Sequence, residues 1–194
     1  MLEIVLIRPG STDFDQQGRI QGNLDIPMNE VGHQEVTSLI ASLRARGITH
    51  VYHCPCTAAV ETGEALAAGL DAKRKPLDTL TNLDHGLWQG LRLDEVKHKH
   101  PKVFRQWEES PASICPPEGE PLNEVEERVE ASLRKLLKKH REGCVALVAP
   151  QPLLAVIRSF LTNVEVGSLC TATAAGGAWE AIPVDVPAMA LPRG

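Results

Sequence analysis

The sequence has no apolar run near the roughly 20 residues that a membrane-spanning helix needs, so no membrane partner is expected. It has no basic excess either: the formal net charge is −5. Its basic residues scatter, apart from the stretch 134–141, and that stretch falls within an amphipathic helical pattern. No nucleic-acid partner is therefore expected. There is no even cysteine framework. Cys54, Cys56, Cys115, Cys144 and Cys170 are five in number and irregularly spaced, which points to free thiols in a reducing compartment. The opening MLEIVLIR carries no charged leader region and no cleavage site, so no export signal is expected and a cytoplasmic location is. No internal repeat or domain boundary stands out. A chain of 194 residues, 43% of them apolar, fits one domain, 1–194, with a sizeable core.

The pattern that remains is one of alternating strands and helices. Residues 2–7 read as a short apolar strand, broken by Arg8-Pro9-Gly10-Ser11-Thr12. Residues 30–46 have helical spacing, with Val31, Val36, Leu39, Ile40 and Leu43 on one face, Asn29 as N-cap and Gly47 as stop. Residues 49–53 read as a second strand and Thr57–Leu70 as an Ala-rich helix. This order predicts a parallel sheet. The segment of about 78–121 reads as an irregular cap containing Trp88, Trp107 and several histidines. Residues 122–142 form the clearest helix, with Leu122, Val125, Val129, Leu133, Leu136 and Leu137 as its stripe. Residues 144–149 read as a buried strand, Pro150-Gln151-Pro152 as a turn and 153–161 as a short apolar helix. Gly176-Gly177, between 168–174 and 178–184, predicts a hairpin. The tail 187–194 reads as loosely held.

Several segments carry more specific text. They are Leu6-Ile7-Arg8-Pro9-Gly10-Ser11-Thr12, the run Gly18-Arg19-Ile20-Gln21-Gly22-Asn23-Leu24-Asp25-Ile26-Pro27-Met28-Asn29-Glu30-Val31-Gly32, Cys54-Pro55-Cys56-Thr57-Ala58-Ala59-Val60-Glu61-Thr62, and Asp84-His85-Gly86-Leu87-Trp88-Gln89-Gly90. Pro117-Glu118-Gly119-Glu120 and residues 145–157 follow in order. In this register, over nearly the whole chain, the sequence resembles the histidine phosphatase, or phosphoglycerate mutase-like, superfamily. The resemblance implies a three-layer α/β/α sandwich with a mostly parallel central sheet and a C-terminal hairpin at its edge.

It also implies a chemistry, and here the sequence departs. In the family a neutral imidazole attacks phosphorus. Arginines, a second imidazole and backbone N–H groups hold the phosphoryl oxygens, a carboxylic acid protonates the leaving oxygen, and no metal or cofactor takes part. The nucleophilic His maps to Pro9, the second Arg to Ala58, the acid to Asn82, the second His to Pro150 and a loop Asn to Asp15. Arg8 alone matches, as a remnant anion-binding residue. The expectation is therefore a pseudoenzyme: a non-catalytic binding or regulatory protein, with a protein partner or self-association. The alternatives are a different chemistry in the old pocket, using Cys54, Asp15 or His85, or a weak phosphomonoesterase. Cys54 and Cys56 beside His53 read mainly as small buried fillers, though a helix start can lower a thiol pKa. His85 reads as a packed or rim side chain, and His98 and His100 as a solvated helix face. No metal site is expected.

Overall fold

The computed structural model describes residues 1–166 and 176–186. Strand β1, Leu2–Ile7, has Ile4, Val5 and Ile7 fully buried. A short helix α1, Asp13–Gln17, follows it. Helix α2, Glu30–Leu43, starts where the Asn29 side chain accepts from the Gly32 N–H at 3.0 Å. Its last turn tightens into a 3-10 turn over Arg44–Arg46, and Gly47 ends it at φ 65°. That is the left-handed conformation glycine adopts without steric cost. Val36, Leu39 and Leu43 face inward as expected, whereas Val31 is 42% exposed. Strand β2, Ile48–His53, leads into α3, Thr57–Leu70.

Strand β3, Lys73–Pro76, was not legible in the sequence, because KRKP has no apolar alternation and all four residues are exposed. Its charges suit an open sheet edge, where they oppose pairing with a second chain. The segment expected to be irregular is partly helical: α4 spans Leu93–Lys99 and α5 Pro101–Glu109. In α5 only Phe104 and Trp107 are buried, too few to print a helical period. Their rings and that of Trp88 meet edge-on at 5.4–5.8 Å, as aromatic quadrupoles prefer. Helix α6, Leu122–Lys139, buries the expected stripe. Strand β4, Gly143–Val148, helix α7, Leu153–Thr162, and strand β5, Trp179–Val184, complete the described chain. The first arm of the expected hairpin, 168–174, and the tail 187–194 lie outside the described residues.

The sheet order is β3-β2-β4-β1-β5. The first four strands run parallel, and β5 pairs antiparallel with β1. Helices α2 and α3 pack as one pair and α6 and α7 as another against this sheet, giving the three-layer α/β/α sandwich. Residues 145–148 of β4 are fully buried, which explains their unbroken apolar text: a central parallel strand is covered on both faces. Leu147→Ala in this strand should cost about 2–5 kcal/mol. Urea unfolding checks it, and a cost below about 1 kcal/mol would contradict the packing. No helix among the described residues is long and apolar enough to cross a membrane.

Candidate functional site

Three loops leave the C-terminal ends of β1, β2 and β4, where parallel α/β sheets place their ligands. Residues 8–12 follow β1, 54–56 follow β2 and 149–152 follow β4. They enclose a cavity of about 70 Å³, closed on its other side by the 18–22 loop and by His85 and Trp107 of the cap.

The first loop is firmly held. The Arg8 N–H donates to the Ala178 carbonyl at 2.8 Å, and the Gly177 N–H reaches the carbonyls of Arg8 and Pro9. The Gly10 N–H donates to Thr62 Oγ1 at 3.0 Å. Glu35 accepts from both the N–H and the hydroxyl of Ser11, at 2.8 and 2.9 Å. Gly10 and Gly32 permit this approach to α2: a Cβ on Gly32 would lie 2.3 Å from the Ser11 carbonyl oxygen.

The chemistry-bearing side chains divide into those the cavity gathers and those it does not. Arg8, Pro9, Asp15, Ala58, Pro150 and His85 line it. Arg8, 7% exposed, pairs through its guanidinium with Asp15. The other Asp15 oxygen accepts from the Thr12 N–H and hydroxyl, each at 2.7 Å. Asp15 therefore caps α1 and offsets Arg8, rather than facing the cavity as a bare repelling charge. Asn82 does not line the cavity. It is buried, donating from Nδ2 to the carbonyl of Gly22, which does line the cavity, at 2.8 Å. Cys54 is also buried away from the cavity, while Cys56 reaches it. Burial pushes the Cys54 thiol well above its ordinary pKa and raises that of Cys56. Both are protonated at neutral pH, which corrects the expectation of a lowered thiol pKa and removes them as ready nucleophiles.

Two lining residues went unrecognised in the sequence. Arg19 brings a second guanidinium, held by Gln17 Oε1 at 2.7 Å and the Gly90 carbonyl at 2.6 Å. The signal lay in its place within the long Gly18–Gly32 match. Gln151 also lines the cavity, and its buried Oε1 has no partner among the described residues. His85 is the imidazole of the cavity lining. It is 3% exposed, edge-on to Trp107 at 5.5 Å, and its Nδ1 has no partner among the described residues. Burial lowers its pKa to about 4, so the ring is neutral at pH 7. No group of three or more His, Cys, Asp or Glu suited to a metal occurs among the described residues.

The His85 shift has a sign that can be measured. Its folded pKa lies below the 6.5 of a free imidazole, so the unfolded chain binds the extra proton first. Stability present above pH 6.5 should then fall as pH drops toward 4, by about 3 kcal/mol from this group when the loss is complete. His50 and His140, also lowered by burial, add in the same direction. Urea midpoints between pH 7 and 4.5 check this; a flat profile would contradict a buried neutral His85.

The sequence profile of the histidine phosphatase superfamily, branch 1, matches residues 4–175. The chain belongs to this superfamily. It is 29% identical over 149 residues to phosphoserine phosphatase 1 of Hydrogenobacter thermophilus, covering 77% of this chain and 71% of that one. It is 32% identical over 146 residues to the bifunctional protein Rv2228c of Mycobacterium tuberculosis, covering 75% of this chain but spanning only 40% of that protein. Among solved structures, the mycobacterial glucosyl-3-phosphoglycerate phosphatase superposes with a TM-score of 0.80 at 23% identity, over 92% of this chain and 88% of that one. The last likeness bears on the fold alone.

These relatives correct one expectation. Membership of the histidine phosphatase superfamily and a curated relative named phosphoserine phosphatase 1 point to a phosphatase, not to a non-catalytic pseudoenzyme. Pro9 and Pro150 exclude phosphoryl transfer through imidazoles at those two positions. They do not exclude phosphoester hydrolysis by another group in the same cavity.

Proposed function

We propose that this chain is a slow phosphomonoesterase acting in the cavity at the C-terminal ends of β1, β2 and β4. One observation carries the reading: Arg8, Arg19 and the neutral His85 line one cavity. The arginines hold phosphoryl oxygens and offset the charge that develops in transfer. His85 accepts a proton from the attacking water as its oxygen bonds to phosphorus. The P–O ester bond breaks, and the departing alkoxide takes a proton from solvent.

The same geometry sets a low rate. A base with a pKa of about 4 is poorly matched to neutral pH, since general-base efficiency follows basicity. Arg8 shares its charge with Asp15, which weakens the hold on a dianion. The name of the relative phosphoserine phosphatase 1 supports the reaction class, and Arg8 remains the proposed anion-binding residue. A cytoplasmic location belongs to the same proposal, supported by the free thiols of Cys54, Cys56, Cys115 and Cys144.

Hydrolysis of p-nitrophenyl phosphate by the purified chain tests this. Release that vanadate suppresses is expected. Release no faster than with heat-denatured protein, at millimolar substrate, would overturn the proposal.

A further inference from the structure

The cap loop that carries His85 is braced from behind by a side chain of α6, about forty residues further along the chain. Arg128 faces Glu120 end-on. One guanidinium nitrogen pairs with Glu120 Oε2 and the other lies 2.6 Å from Oε1. The second nitrogen also donates to the carbonyls of Thr81 and Asn82, at 3.3 and 3.2 Å. Glu120 in turn accepts the Asp84 N–H at 2.8 Å, and its own N–H donates to the Asp84 carbonyl at 3.0 Å. Asp84 then accepts the Gly86 N–H at 2.8 Å.

The turn before Glu120 closes on the same loop. The Leu87 N–H donates to the Pro117 carbonyl at 2.9 Å. Gly86 sits at φ +48°, and a Cβ there would lie 2.1 Å from the Pro117 carbonyl oxygen. Only glycine permits both the conformation and the approach. Asn82 passes the constraint onward through its bond to the Gly22 carbonyl, in the loop that carries Arg19. The residue aligned with the family's acid thus ties the His85 loop to the Arg19 loop.

We infer that Arg128 and Glu120 are positioning residues, a bidentate clamp that holds the 81–86 loop so that His85 faces the cavity. Neither lines the cavity; they act through the loop. A planar guanidinium suits this role because it spans both carboxylate oxygens and still reaches two carbonyls, which an ammonium cannot do. The kinetic consequence rests on the phosphomonoesterase reading; the structural consequence does not.

The test uses the full chain and three variants: Glu120→Gln, Arg128→Met and the milder Arg128→Lys. The first readout is the titration of the His85 imidazole by NMR. In the wild type burial holds its pKa near 4, against the opposing pull of Asp84 and Glu120. With the clamp broken, the loop loosens and water reaches the ring. The midpoint should then rise by about one unit or more in Arg128→Met and by less in Arg128→Lys; in Glu120→Gln the lost pull of the carboxylate offsets part of the rise. The second readout is turnover of p-nitrophenyl phosphate. The kcat should fall about tenfold or more with KM little changed, because a displaced group costs rate before it costs binding. A folded Arg128→Met variant whose His85 titrates at the wild-type midpoint would overturn the inference. If the wild type shows no turnover, the phosphomonoesterase reading fails on its own, and the titration still decides the clamp.

Discussion

Replacing Arg8 with alanine should lower phosphomonoester turnover by about 10²–10³, the usual consequence of losing one donor to the developing charge. The effect has two parts. The phosphoryl group loses a guanidinium at the mouth of β1. Asp15, no longer paired with Arg8, then presents an uncompensated carboxylate to an anion. The double variant Arg8→Ala with Asp15→Asn separates them: it removes the repulsion but not the lost donor, so part of the activity should return. The single variant should also lose any rise in melting temperature on adding vanadate or phosphate, since an anion that binds the folded state must stabilise it. Steady-state rates and thermal melts on the same preparations check both parts. An Arg8→Ala protein with wild-type turnover and an intact vanadate shift would place the anion elsewhere.

His85→Asn should lower turnover by about 10²–10⁴, the range associated with a general base. Asparagine keeps a polar group of similar reach but has no basic lone pair at any accessible pH. The substitution should leave stability near pH 7 little changed while flattening the acid loss, because His85 contributes through a folded pKa of about 4 against 6.5. A structural His85 would give the opposite pattern: stability lost at pH 7, and turnover lost only as far as the protein unfolds. Rates and urea midpoints, each taken at pH 7 and 4.5, separate the two cases.

The limits of sequence reading follow from what each residue's neighbours are. Strands β1 and β4 were legible because both faces are covered, so their apolar runs are uninterrupted. Helix α6 was legible because its stripe is long. Strand β3 was not, because an exposed edge of Lys-Arg-Lys-Pro carries no apolar period. The cap helices were missed because α5 buries only Phe104 and Trp107. For the site, long text matches placed Arg8, Pro9, Asp15, Ala58 and Pro150 at the cavity, where the structure also has them. Asn82 is held one residue contact back from the cavity, through its bond to Gly22, a distance that no single segment encodes. Arg19 and the Arg128–Glu120 clamp join residues far apart in sequence, and spacing alone could not pair them.

The expectation of an inactive protein failed for a different reason. It counted the groups of one mechanism at fixed positions, and Pro9 and Pro150 do remove that mechanism. His85, read mainly as a packed or rim side chain, enters there only as one alternative beside Cys54 and Asp15. Burial does pack the ring, but burial is also what keeps it neutral, with a nitrogen unpartnered among the described residues.

The most direct test of the whole account is the rate of inorganic phosphate release from p-nitrophenyl phosphate by the wild type, Arg8→Ala and His85→Asn at pH 7. Slow release by the wild type, abolished by vanadate and reduced at least about 10²-fold in each variant, is the predicted result. Release at the denatured-protein background by the wild type, or equal release by all three, would contradict it.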